Sequence, residues 1–71
     1  TTIIFSVSEP SISQLQIFDA LGRLVDTLID KKLFPGKYSI KWNASKYPSG
    51  IYFSVLKSKG KSSISKMILL K

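Results

Sequence analysis

Seventy-one residues, 44% of them hydrophobic, are enough for one small domain and no more. The chain contains no cysteine and no histidine, which excludes a disulfide framework, a thiol redox centre, a Ser-His triad and the usual structural zinc site. Eleven Lys+Arg against four Asp+Glu give a formal net charge of +7. All of the cations except Arg23 are lysines, which suit solvated strand faces and blunted sheet edges better than nucleic-acid recognition, where guanidinium groups dominate.

At this length folding buries only roughly 60% of the unfolded chain's surface, so the apolar side chains must supply the core without a staple. Thr2 to Val7 reads as the first strand, with Ile3, Phe5 and Val7 on one face and Ile4 and Ser6 on the other. Ser8-Glu9-Pro10-Ser11 ends it, because Pro10 cannot donate to a ladder. Gln14 to Phe18 alternates with period two, Leu15 and Ile17 inward and the glutamines outward. Asp19-Ala20-Leu21-Gly22 carries type I turn chemistry, with Gly22 placed for a left-handed bulge. Arg23 to Ile29 is the return strand. Leu21, Leu24, Val25 and Leu28 also satisfy helical spacing, but seven residues between two turn signals favour a strand.

Asp30 to Phe34 is expected as a loop or a short edge element, with a seventh strand possible at Lys32–Phe34. Pro35-Gly36 matches the central pair of a type II turn. Lys37 to Trp42 alternates again and places Tyr38, Ile40 and Trp42 together on a core face, where Trp42 makes the largest contribution. Asn43 to Lys46 is a loop that Asn43 closes as an Asx turn. Tyr47-Pro48-Ser49-Gly50 turns directly into Ile51-Tyr52-Phe53-Ser54-Val55-Leu56, the strongest β-forming run and the expected centre of the sheet. Lys57 to Lys61 forms a hairpin tip around Gly60. Ser62 to Leu70 is the last strand, with apolar residues on both parities that a bulge near Lys66 would reconcile. Six or seven antiparallel strands at this spacing describe a small all-β, immunoglobulin-like β-sandwich.

The same residues offer little to chemistry. Glu9, Asp19, Asp26 and Asp30 fall in separate positions, and paired-carboxylate hydrolysis needs two that face each other. The four glycines are isolated turn residues, with no phosphate-cradling loop among them. No catalytic, cofactor-binding or metal-ligating residue is assigned, and the chain is read as a non-enzyme. Asn43-Ala44-Ser45 fits the glycosylation acceptor pattern, a three-residue match that arises often by chance. Trp42, Tyr47 and Tyr52 lie close enough in sequence to form an aromatic row for a glycan; the competing reading makes Trp42 and Tyr52 core residues. No apolar run reaches the ~20 residues of a membrane-spanning helix. A chain that opens on Thr1-Thr2-Ile3-Ile4-Phe5, a strand, is expected to be one domain (residues 1–71) taken from a longer protein.

Four segments together resemble one family. Leu15 to Val25 is similar to the strand and D-x-x-G-R-x-V hairpin of type IX secretion C-terminal sorting domains. Pro35-Gly36-Lys37-Tyr38 through Trp42-Asn43 resembles that family's P-A-G-x-y-x-x-x-W-[DN] segment. Pro48 to Phe53 resembles its P-x-G-x-Y-x-x motif, and Lys66 to Lys71 its K-[MI]-x-x-x-[KR] terminus. The immunoglobulin-like domain of the flagellar hook-capping protein shares the middle motifs. The resemblance implies an export label on a secreted protein of a Bacteroidetes-like bacterium, passing through the periplasm to the exterior or the cell surface. Its implied partners are an outer-membrane translocon, a sortase-like signal peptidase and anionic lipopolysaccharide, with no cofactor and no nucleic acid. The residues it points to for recognition are Gly50, Ile51 and Tyr52 at the turn, and Lys66, Met67, Ile68, Leu69, Leu70 and Lys71 in the last strand. An accessory carbohydrate-binding role through Trp42, Tyr47 and Tyr52, or a purely structural module, is the alternative.

Overall fold

The computed structural model describes residues 1–70. Among these residues six strands run in order: β1 (Thr2–Val7), β2 (Ser11–Asp19), β3 (Leu24–Leu33), β4 (Gly36–Lys41), β5 (Gly50–Ser58) and β6 (Lys61–Leu69). They form a two-stranded sheet, β1-β4, and a four-stranded sheet in the order β3-β2-β5-β6. Every pairing is antiparallel, and the sheets face each other across the core, so the expected all-β sandwich is what this chain forms. Residues 24–33 are a strand, as the flanking turns require, and the helical alternative is not adopted.

The alternation fixes which side chains go inside. In β2, Ser11, Ser13, Leu15 and Ile17 are buried, and the residues between them face outward. In the smaller sheet Ile3, Phe5, Tyr38 and Ile40 turn toward the same interior, with the Phe5 and Tyr38 rings stacked at 5.4 Å. Val7, Leu15, Ile29 and Leu33 make one buried cluster, and Ile17, Trp42, Ala44 and Tyr52 make the other. Trp42 lies one residue beyond β4 but extends its ladder, because its backbone N–H donates to the Thr1 carbonyl at 2.8 Å.

Several boundaries differ from the sequence expectation, each for a physical reason. β2 begins at Ser11 rather than Gln14, because Ser11 pairs with Leu33 and Ser13 with Lys31. Asp30 to Leu33 is therefore neither a loop nor a separate strand; it is the far half of β3, carried on by that pairing and by the burial of Leu33. Gly36 opens β4 opposite Val7 at a φ of 152°, well away from the roughly +80° of a type II turn centre. The hairpin tip shrinks to two residues, Lys59 and Gly60, both at positive φ (53° and 73°), the pattern of a type I′ turn. β5 is interior, but it shares the middle of the sheet with β2. No bulge occurs near Lys66: β6 stays in continuous register with β5 from Ser58↔Lys61 to Gly50↔Leu69.

The first hairpin behaves as its residues dictate. Gly22 sits at φ 82° and its N–H donates to the Asp19 carbonyl at 3.0 Å, while the β2–β3 register shifts between Ile17 and Phe18. A Cβ at position 22 would meet nothing within 4 Å, so Gly22→Ala tests backbone conformation alone. The substitution is expected to cost about 1 kcal/mol, the left-handed penalty of an L-residue, read as a lower urea midpoint at unchanged slope.

Candidate functional site

Register brings together the two segments that the sequence singled out. Gly50 pairs with Leu69, Ile51 with Ile68, Tyr52 with Met67 and Phe53 with Lys66. The turn-strand junction and the end of the last strand are thus one patch, although the thirteen residues 53–65 separate Tyr52 from Lys66 in the chain. Lys71, assigned to the same end, lies outside the described residues.

The pleat divides this patch into two layers with different work. Tyr52 is only 5% exposed, and Met67 and Leu69 pack beside it on the inner face. The Tyr52 hydroxyl donates to the Pro48 carbonyl at 2.7 Å, which ties the Pro48-Ser49-Gly50 turn to the strand it feeds. On the outer face, Ile51, Lys66 and Ile68 are exposed, and Leu70 follows just past the end of β6. The surface open to a partner is therefore the outer layer, and Tyr52 supports it from beneath.

Other residues join that outer layer. Leu24, Phe18, Phe53 and Lys66 form one cross-strand row, and Thr27, Gln16, Val55 and Ile64 form the next. Ile64 and Ile68 are each 66% exposed. An antiparallel sheet with one solvated face ordinarily carries polar residues there; this end of the sheet carries phenylalanine and isoleucine. The sequence does hold the signal, since Ile51, Phe53 and Val55 are apolar between inward Tyr52 and Ser54. On sequence alone that pattern reads as burial on both faces, and only the strand order shows that one face has no cover.

The aromatic trio is brought together too, but inside. Trp42 is 2% exposed, with its ring 5.4 Å from Tyr47 and 5.3 Å from Tyr52. Its indole N–H donates to Asp26 at 3.2 Å, and the Tyr47 hydroxyl donates to the Val25 carbonyl at 2.9 Å. These rings join the β4–β5 connection to β3 and leave neither Trp42 nor Tyr52 a face for a sugar. Away from this end, a groove of about 380 Å³ is lined by Ser11, Ser58, Ser62, Lys59 and Lys61. The Ser11 and Ser58 hydroxyls of this groove bond each other at 2.6 Å, and buried Ser13 bonds Ser58 at 3.3 Å.

Three carboxylates have structural partners. Glu9 pairs with Lys59, Asp26 accepts from Trp42, and Asp19 binds Arg23. Asp19 accepts the backbone N–H groups of Arg23 and Leu21 at 2.9 Å each and the Arg23 Nε at 2.8 Å. These contacts, the Arg23 backbone N–H foremost, hold its carboxyl below the usual carboxylate range. A carboxyl whose pKa is lowered by folding adds stability that is complete above its unfolded value, near 3.8, and is lost as pH falls through the folded one. Asp19→Asn keeps an acceptor for the turn amides but cannot titrate. Its urea midpoint should therefore fall less steeply than wild type on acidification from about pH 5.

Compared with known proteins, residues 1–70 match the family model described as "Secretion system C-terminal sorting domain". No curated protein and no solved structure gives a match.

Proposed function

The chain belongs to the secretion system C-terminal sorting domain family, and we propose that the machinery which exports its cargo reads it from the β5–β6 side. The family is non-catalytic, and its members are recognised by the type IX secretion machinery of Bacteroidetes. The protein that carries the domain is secreted or held at the cell surface. In our reading the 71 residues are a single label on a longer polypeptide, which crosses the periplasm before an outer-membrane translocon engages it. A sortase-like peptidase then acts at the label, and anionic lipopolysaccharide is the acceptor at the surface.

The observation that carries the reading is the pairing of Gly50-Ile51 with Ile68-Leu69. It gathers the turn-strand junction of β5 beside the exposed β6 edge of the larger sheet. A label needs a rigid, displayed surface rather than a pocket, and an edge strand next to an uncovered face provides one. Ile51, Lys66, Ile68, Leu70 and Lys71 would make contact, with Gly50 shaping the turn. Tyr52, Met67 and Leu69 would hold that layer in place. The test is a reporter fused ahead of residues 1–71, produced with a Sec signal in hosts with and without a working secretion system. Surface or culture-medium reporter only in the competent host is expected; periplasmic retention in both would overturn the proposal.

A further inference from the structure

The apolar outer face and the free edge of β6 adjoin, and their charges and spacing say what kind of segment would cover them. On β6 the outward side chains are Ser62, Ile64, Lys66 and Ile68, at every second residue. β6 pairs on one side only, so its other edge offers unpaired backbone groups among the described residues. Behind it the same face continues through Ile51, Phe53 and Phe18. Exposed apolar area of this kind, rimmed by Lys57 and Lys66, marks a docking surface.

Three occupants are conceivable, and physical chemistry separates them. A second copy would bring another chain of net charge +7 against the first and set lysine rims near each other. A lipid surface would accept the isoleucines and lysines, but it cannot pair the open β6 backbone, and each unsatisfied group costs several kcal/mol in hydrocarbon. An extended segment of another protein can do both, pairing with the edge while its side chains extend the face.

Resting on the reading of β6 as part of the recognised side, we infer that this edge accepts a strand of sequence apolar-x-acidic-x-apolar. The apolar residues sit across from Ile64 and Ile68, and the acid sits across from Lys66. The intervening positions lie opposite Ser65 and Met67 on the inner side and need only be small or uncharged. Because the pattern is the same read in either direction, it does not depend on whether the strand adds parallel or antiparallel. Opposite charges directly across a sheet attract and like charges repel; selectivity should therefore reside at Lys66 and affinity in the isoleucines and the backbone.

The test uses the full chain, ¹⁵N-labelled, titrated with the peptide Thr-Leu-Thr-Glu-Thr-Leu-Thr and with its Glu→Lys counterpart. Amide shifts confined to residues 61–69 and their β5 neighbours are expected with the glutamate peptide, with the lysine peptide at least about threefold weaker. Lys66→Glu should reverse that order. Absence of shifts at millimolar peptide, or equal response to both peptides, overturns the inference. So does a dimer in light scattering that Ile64→Lys/Ile68→Lys abolishes, which would assign the face to a second copy. Partition onto phosphatidylglycerol vesicles that needs Ile64 and Ile68, without peptide preference, would assign it to lipid. Failure here with reporter export intact removes only the strand partner; loss of export with peptide binding intact removes the export reading.

Discussion

Trp42→Ala is expected to remove at least about a third of the chain's folding stability. The side chain is almost fully buried between Tyr47 and Tyr52 and belongs to one of the two core clusters among the described residues. Truncating a buried Phe or Trp to alanine costs about 3–5 kcal/mol, and a chain of this length has roughly 4–10 kcal/mol of total stability. The substitution also removes the indole donor to Asp26 and loosens the joint between the β4–β5 connection and β3. Trp42→Phe keeps most of the apolar volume and should fold, with a reduced midpoint. Because Trp42 is the sole tryptophan, far-UV circular dichroism against urea is the suitable readout. A cooperative transition for the alanine variant within about 1 kcal/mol of wild type would show that the second cluster does not hold the sheets together.

Deleting residues 61–71 is expected to produce an aggregating chain rather than a smaller folded one. β6 pairs with β5 along its whole length, and its Met67 and Leu69 cover Tyr52 and the second cluster. Without it β5 becomes an edge strand bearing Ile51, Phe53 and Val55, a flat apolar template for pairing with other chains. Size-exclusion chromatography should show loss of monomer, and dichroism the loss of a cooperative melt. A monomeric, cooperatively folding truncation would contradict this. The deletion is therefore an ambiguous export test, since loss of the label and loss of the fold would look alike; substitutions confined to the outer face avoid this.

The sandwich was legible because local signals agreed with one another. The odd-numbered residues of Gln14–Phe18, the Tyr38-Ile40-Trp42 face and the Asp19–Gly22 turn each specify orientation within a few residues, and the structure honours all three. Family motifs joined to that pattern identified the chain's class. What escaped were effects set by distant partners. Asp30 to Leu33 looks like a polar loop until Ser11 and Ser13 pair with it. The mixed parity of residues 62–70 suggested a bulge, but an unbroken register puts Met67 and Leu69 inside and leaves Ile64 and Ile68 in solvent. The same limit applied to the site. Tyr52 carries two readings in the sequence, motif contact and core residue, and its burial and its bond to the Pro48 carbonyl make it part of the core beneath the turn. Phe18 and Leu24 gave no hint of the outer face, which exists only once β2, β3, β5 and β6 lie in order.

Whether a folded domain with no reaction of its own is read through one side of one sheet comes down to a single comparison. The reporter fusion would carry either the wild-type residues 1–71 or Ile51→Lys/Ile68→Lys, two exposed positions paired across β5 and β6. With urea midpoints matched within error, surface delivery should fall at least about tenfold, the equivalent of losing one strong contact side chain. Undiminished delivery from the doubly substituted, fully folded fusion would contradict it.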